Sequence, residues 1–423
     1  MPTVIPFKGT LYNPQKVDGS ASMAPPYDIV TPELKEDLYK KSPYNIIRVD
    51  FGKDNDEDND EENRYTRASK FMGDWLKEGI LIGDREPAFY CYEIGYEING
   101  LKKKTTGFLG AVKIEETGSG KIHPHEMTYS KPKSDRLNIL KYCHANTSPI
   151  FSLYSSEERA TSAILDRVAG EKAFIEADDG DGFKHRLWRI SDSASIETIK
   201  REMASKDIFI ADGHHRYETA LEYRKDMEEK GHLKTGEEPF NYVMMFLANI
   251  EDGGLTLLPT HRIVEIDSDI SAKAVLAKYF DIEKISMESI SEKQARRQML
   301  EAIRNKPHSF GLFLTNANTY YTMSFNGSGL ELDLPESLKN LDVTVLHKFI
   351  FEKLLRINHF EYEMDPDIAV DRARKGSFEA VFFLNSTEIR KVKEVAFAGH
   401  RMPPKSTYFY PKLLTGMVIY KFQ

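Results

Sequence analysis

Cysteine is scarce: among 423 residues only Cys91 and Cys143 carry a thiol, and no Cys-x-x-Cys pair occurs. A disulfide framework and a cysteine zinc site are thereby excluded, and two ordinary buried thiols are expected. Long apolar runs are missing as well. No stretch reaches the roughly 18 consecutive apolar residues of a spanning helix, and Met1 to Thr10 lacks the basic start and apolar run of a signal peptide. A soluble cytoplasmic chain with no membrane partner is the expectation. Basic charge is in deficit, 58 Lys and Arg against 66 Asp and Glu, for a formal net charge of −8. Binding nucleic acid through bulk charge needs a concentrated basic surface, so no nucleic acid is expected either. A local basic pocket for a small phosphate ligand remains compatible with this balance.

The chain is 40% apolar and 29% charged, and its length suggests two or three domains, each able to bury a core. No repeat of 20 to 50 residues is visible. The one biased tract is Asp54 to Glu62, with seven acids in nine residues. Asp54, Asp56 and Asp58 match the first ligand spacings of an EF-hand, but Asn59 replaces the required Gly and Tyr65 the required Glu, so a solvated loop is expected. Tyr65, Ala68, Met72 and Trp75 have helical spacing. Ala88 to Ile98 alternates as a strand does, and Asn99-Gly100 predicts a hairpin into Thr105 to Ile114. Helices are predicted over 196–205 and 217–230, with a buried strand at 207–211 between them and further strands at 244–247 and 255–264. From about residue 265 the pattern is helix (291–305), hairpin (310–325), helix (343–357), helix, strand (380–384) and helix, a mixed α+β part.

Three segments carry chemistry-bearing residues. In Ala211-Asp212-Gly213-His214-His215-Arg216-Tyr217 a strand ends, a glycine turns the chain, and a helix begins with two imidazoles and a guanidinium. Helix-start amides attract anions, and Arg216 adds a bidentate phosphate contact; the plainer account makes Asp212 an N-cap and the histidines surface residues. In His123-Pro124-His125-Glu126, followed by Lys131, Lys133, Asp135 and Arg136, Glu126 suits a general base. The same His-x-His-Glu run suits a transition metal, or is an ordinary loop. Gly118-Ser119-Gly120-Lys121 fails as a P-loop because Ile122 stands where Ser or Thr is needed. In Met402-Pro403-Pro404-Lys405-Ser406-Thr407-Tyr408-Phe409-Tyr410-Pro411-Lys412, two lysines and two hydroxyls between prolines make a rigid, donor-rich loop suited to phosphate or carboxylate oxygens, or form a terminal strand with Lys on its edge. Asp28, on the Pro25-Pro26 loop, and His261-Arg262 are further candidates.

Ala24-Pro25-Pro26-Tyr27-Asp28, His125-Glu126, Ala211 to Thr219, Leu258 to Arg262 and Pro403 to Thr407 together resemble a bacterial and archaeal family of unknown function, over nearly the whole chain. More distantly, Pro124-His125-Glu126, Asp212-Gly213-His214-His215-Arg216 and Pro404-Lys405-Ser406-Thr407 resemble, in order, three motifs of archaeal free L-serine kinase. The fold of that kinase is similar to the ParB amino-terminal domain and to sulfiredoxin. The resemblance implies a ParB/sulfiredoxin-like α/β core over 1–265 and a second α+β domain over 266–423, whose last loop returns to the active site. It implies a kinase moving a phosphoryl group from ADP or ATP, with Mg2+, to free L-serine or a related hydroxyl metabolite. Glu126, His125 and Asp212 would be catalytic, with Gly213, His214, His215, Arg216, Lys405, Ser406 and Thr407 on the nucleotide phosphates; Asp135 and Arg136 join the candidates. The expected partners are the nucleotide and the small hydroxyl-bearing substrate, with a homodimer as the assembly considered. After Thr407 the chain has Tyr408-Phe409 where the kinase has basic residues, which leaves the acceptor open. Two alternatives stand beside this reading: a non-catalytic nucleotide-binding regulatory module, and a metal-dependent hydrolase using His123, His125 and Glu126.

Overall fold

The computed structural model describes residues 2–98, 100–116, 118–126, 130–266, 269–327, 329–330, 332–376 and 378–422. Its elements make a mixed α+β chain. Two compact units form: one from residues 1–124, 128–256 and 411–423, the other from 125–127 and 257–410. The partition differs from a single boundary near residue 265. Residues 411–423 join the first unit because Ala24 bridges Thr415, Thr10 bridges Ile419, and Ala145–Asn146 pairs with Tyr420–Lys421.

The first unit is built on β1 (Val4–Ile5), β2 (Phe89–Ile98), β3 (Leu101–Lys113), β4 (Ile122–Pro124), β5 (Ile150–Tyr154), β6 (Ile175–Asp178), β7 (Lys184–Ile190), β8 (Ile208–Asp212) and β9 (Tyr242–Asn249). Their order is β4-β8-β5-β9-β3-β2-β7-β6, with β1 also on β3. All eight residues of β9 are buried, which is why this central strand reads as a continuous apolar run rather than an alternating one. Gly107 lets β3 and β9 approach: a Cβ there would lie 2.5 Å from the Phe246 ring and 2.6 Å from the Leu247 carbonyl oxygen. The expected hairpin is present, Ile98 pairing with Leu101; Asn99 of its turn lies outside the described residues.

Helix α1 (Arg64–Lys77) opens with an Asn63/Thr66 capping box and buries Ala68, Met72 and Trp75, as its spacing predicts. The segment read above as a basic loop is instead the start of helix α2 (Ser130–Cys143); the Lys131 side chain lies outside the described residues. Pro132 sits in the first turn of α2, where a helix tolerates it because that N–H has no intrahelical partner. Helices α3 (Ala160–Ala169), α4 (Ser193–Met203) and α5 (His214–Glu229) complete the layer. Ile199 and Met203 of α4, Leu165 of α3 and Tyr217 of α5 enter one core with Ile150, Ile210 and Met245.

The second unit holds β10 (His261–Val264), β11 (Phe280–Lys284), β12 (Ser309–Leu314), β13 (Thr319–Phe325), β14 (Phe360–Glu363) and β15 (Ala380–Phe383). They form an antiparallel sheet in the order β11-β13-β12-β15-β10-β14. Alternate residues enter two cores. Leu312 and Phe382 pack with Val345, Phe349 and Val392, whereas Phe313 and Val381 pack with Met299 and Ala369. The expected helix over 343–357 is a π-helix at Val345–Leu355, closed by Arg356 in the left-handed region. No helix of the described residues is long and apolar enough to cross a membrane.

Candidate functional site

In the first unit the chemistry gathers where β8 runs into α5. β8 pairs with β5 and slips register between Ile210 and Asp212, so Asp212 stands opposite Phe151 at the strand end. Gly213 follows at φ 94° as the N-cap of α5, and as a glycine it brings no side chain to that position. That conformation is open to glycine and strained for other residues. The helix is anchored by Tyr217, whose hydroxyl donates to Glu115 O at 2.7 Å and accepts from Glu115 N at 3.0 Å. Gly213 N donates to Asp212 Oδ1 at 3.0 Å, and Lys412 Nζ donates to Asp212 Oδ2 at 2.9 Å. Arg216 lies 3.9 Å from the same carboxylate and donates to Pro149 O.

Two neighbouring groups extend this corner. Burial pushes the Tyr27 phenol up to about 12, with Arg136, Asp28, Arg216 and Asp212 the charges that act on it. The Pro25-Pro26 loop thus carries Tyr27 and Asp28 to the corner. Arg136 stacks on the Tyr27 ring at 4.0 Å and shares with Arg216 the wall of a small cavity lined also by Asn146, Thr147 and Ser148. Arg136 itself is spent on structure. It pairs with Asp50 at 3.0 Å and Asp135 at 2.6 Å, and these carboxylates keep its guanidinium charged against burial. Thr147 Oγ1 donates to Asp50 at 2.5 Å, and Asp135 also accepts from Tyr65 at 3.0 Å and from Arg64. Lys133 pairs with Glu218. The basic residues after Glu126 therefore tie α1, α2 and α5 to one another.

In the second unit Glu126 and the 403–407 loop meet. Glu126 bridges Met402 in parallel register, and Met402 N donates to His125 O at 2.7 Å. Glu126 Oε1 accepts from Thr407 N at 3.2 Å and from Thr407 Oγ1 at 3.1 Å. Because that hydroxyl gives its proton to the carboxylate, it accepts from His125 Nε2 at 3.2 Å, which sets the fully buried ring in its Nε2–H tautomer. Ser406 and Thr407 are buried, and Ser406 Oγ donates to Pro403 O at 2.5 Å. The Ser406 hydroxyl is thus occupied in closing its own turn.

His261 and Arg262 are interior residues of β10. Burial first, and the adjacent Arg262 charge second, push His261 down to about 3; its ring lies 4.9 Å from that of Phe383. Arg262 is 1% exposed. His123 pairs with Asp207 at 2.8 Å and stacks on Phe209, and among the described residues no three His, Cys, Asp or Glu side chains are grouped to hold a metal ion. The His-x-His-Glu run therefore divides between separate partners, and the hydrolase reading loses its ligand set among those residues. Lys412 belongs to the 402–412 loop read from sequence as donor-rich; Tyr27 was not singled out as a site residue, and the proline-stiffened loop was its one local signal.

A model of the DUF1015 family, described as proteins of unknown function, matches residues 4–344, and the chain belongs to that family. No curated protein matches it. Among solved structures it is similar to free serine kinase in complex with AMP, at 14% identity and a TM-score of 0.33 over 70% of this chain and 89% of the kinase. It is similar to SbnI with a C-terminal truncation from Staphylococcus aureus, at 9% identity and a TM-score of 0.34 over 73% of this chain and 87% of that one. A conserved hypothetical protein from Pyrococcus furiosus aligns at 15% identity and a TM-score of 0.31, over 70% and 92% of the two chains. Likeness at this level carries no statement about activity.

Proposed function

We propose that the protein is a small-molecule phosphotransferase that moves the terminal phosphoryl group of ADP or ATP to a hydroxyl metabolite, with free L-serine the first acceptor to test. The observation that carries this reading is the hydrogen bonding of Glu126 to Thr407, which unites two of the three kinase-like motifs in one cluster. Phosphoryl transfer asks the protein for positioning, for a group to take the hydroxyl proton, and for donors around the phosphates. Glu126 accepts the proton of the acceptor hydroxyl as its oxygen bonds to phosphorus. The bond from phosphorus to the bridging oxygen breaks, and AMP or ADP leaves with that electron pair.

The α5 amides and Arg216 hold the nucleotide phosphates, as suits a helix start entered through a glycine turn. Magnesium ordinarily accompanies such nucleotides and neutralises phosphate charge. Here Asp212 has one oxygen on Gly213 and the other on Lys412.

The test is ³¹P NMR of the purified protein with magnesium, L-serine and either ADP or ATP. A phosphomonoester resonance that grows, and is absent with Glu126→Gln, is the expected result. Nucleotide binding with no phosphomonoester from serine or a panel of hydroxyl compounds would overturn it in favour of a nucleotide-binding regulatory module.

A further inference from the structure

Arg262, buried on β10, has its donors directed to protein atoms. Nη1 donates to Thr260 O at 2.6 Å, Nη2 to Lys405 O at 3.1 Å, and Nε to His347 Nε2 at 2.9 Å. Its guanidinium carbon lies 4.6 Å from the centre of the Tyr362 ring. An imidazole nitrogen that accepts carries no proton, so His347 is the neutral Nδ1–H form. Burial first, and the Arg262 charge second, push His347 down to about 2, which keeps it neutral at any ordinary pH.

The Lys405 carbonyl that Arg262 holds belongs to a residue at φ 57°, in the left-handed region, which is strained for a residue with a side chain. The next carbonyl, Ser406 O, accepts from Thr387 Oγ1 at 3.0 Å. A peptide group is planar, so holding its oxygen also aims its N–H. Thr387 fixes one side of the Ser406–Thr407 peptide, and the N–H on the other side points at Glu126 Oε1. Arg262 fixes the peptide before it.

We infer that Arg262 is a positioning residue for Glu126: through Lys405 it locks the turn that presents Thr407 N–H and Oγ1 to the carboxylate, with His347 as its acceptor. The inference rests on Glu126 being the base of the proposed reaction, but its geometry is readable without turnover.

The experiment uses the full chain labelled with ¹⁵N-threonine, the Thr407 amide being the resonance lost in Thr407→Val. In the wild type this resonance shifts as Glu126 protonates on acidification, and Glu126→Gln removes the shift. Arg262→Gln is expected to abolish most of that shift, Arg262→Lys to restore part of it, and ADP affinity by calorimetry to stay unchanged in both. With an active acceptor, Arg262→Gln lowers kcat about 10- to 100-fold at constant KM, as misplacement of a reacting group does.

A folded Arg262→Gln protein whose Thr407 shift is unchanged overturns the inference even where phosphotransfer is found. Should Arg262→Gln fail to fold, His347→Leu decides, since it removes the acceptor and leaves the charge; an unaltered Thr407 shift there overturns the inference equally. If no hydroxyl compound is phosphorylated by the wild type while the Thr407 shift still depends on Arg262, the positioning role stands and the kinase reading falls.

Discussion

The Asp212 corner and the Glu126 cluster are assembled over very different distances in sequence. In the first, strand, turn and helix start are consecutive residues. In the second, Glu126 and Thr407 are 281 residues apart, and the loop between them and Arg262 is held by side chains. A corner made from backbone tolerates loss of a side chain as long as the turn survives. A cluster made from distant side chains weakens when any one of them is replaced.

The sharpest break of this contrast is expected at Glu126. Glu126→Gln should lower phosphoryl transfer by about 10²- to 10⁴-fold, the range of general-base catalysis, with ADP affinity by calorimetry unchanged. Next in size is Arg136→Met, which leaves buried Asp50 and half-buried Asp135 beside an apolar side chain. A loss of about 3–5 kcal/mol in urea unfolding is expected, because removing one partner strands the others; a loss under 1 kcal/mol would mean that the corner does not depend on this network.

Gly213→Ala tests the backbone nature of the corner. Its Cβ would lie 2.9 Å from Arg216 Nε with φ at 94°, so about 1–2 kcal/mol of stability should be lost and ADP affinity should fall with it. Smallest is Thr407→Val, which keeps the N–H to Glu126 and loses the hydroxyl. A net hydrogen bond of about 1 kcal/mol predicts roughly a five-fold fall in turnover; Thr407→Ser should restore the wild-type rate.

The same difference in sequence distance decided what was legible beforehand. The run from Ile208 to Tyr217 reads correctly because a buried apolar strand, a glycine and a helical pattern are adjacent, and the 89–113 hairpin reads for a like reason. Helix α2 was hidden by Pro132 and its basic neighbours, which have the composition of a loop, whereas Lys133 pairs with Glu218 of α5. The Asp50, Arg136 and Thr147 contacts, and the Lys412 to Asp212 pair, join segments that no local pattern relates. His261 and Arg262 look like surface residues by type. Only the fold reveals that β10 runs through the interior, where a guanidinium must find acceptors on three separate segments.

The lacing of residues 411–423 into the first unit bears on how the protein is made. Ala24, Thr10 and the 145–146 strand wait for partners that leave the ribosome only after the whole second unit has been synthesised. The amino-terminal unit, although begun first, is therefore completed last, and the second unit can fold while its neighbour is still open. Domains usually fold as units in the order of their synthesis; here a release made before residue 411 would yield a finished second-unit sheet and an unfinished first unit, lacking Lys412. Such a nascent chain would be a natural client for chaperones, and truncation at that point a poor route to an isolated active fragment.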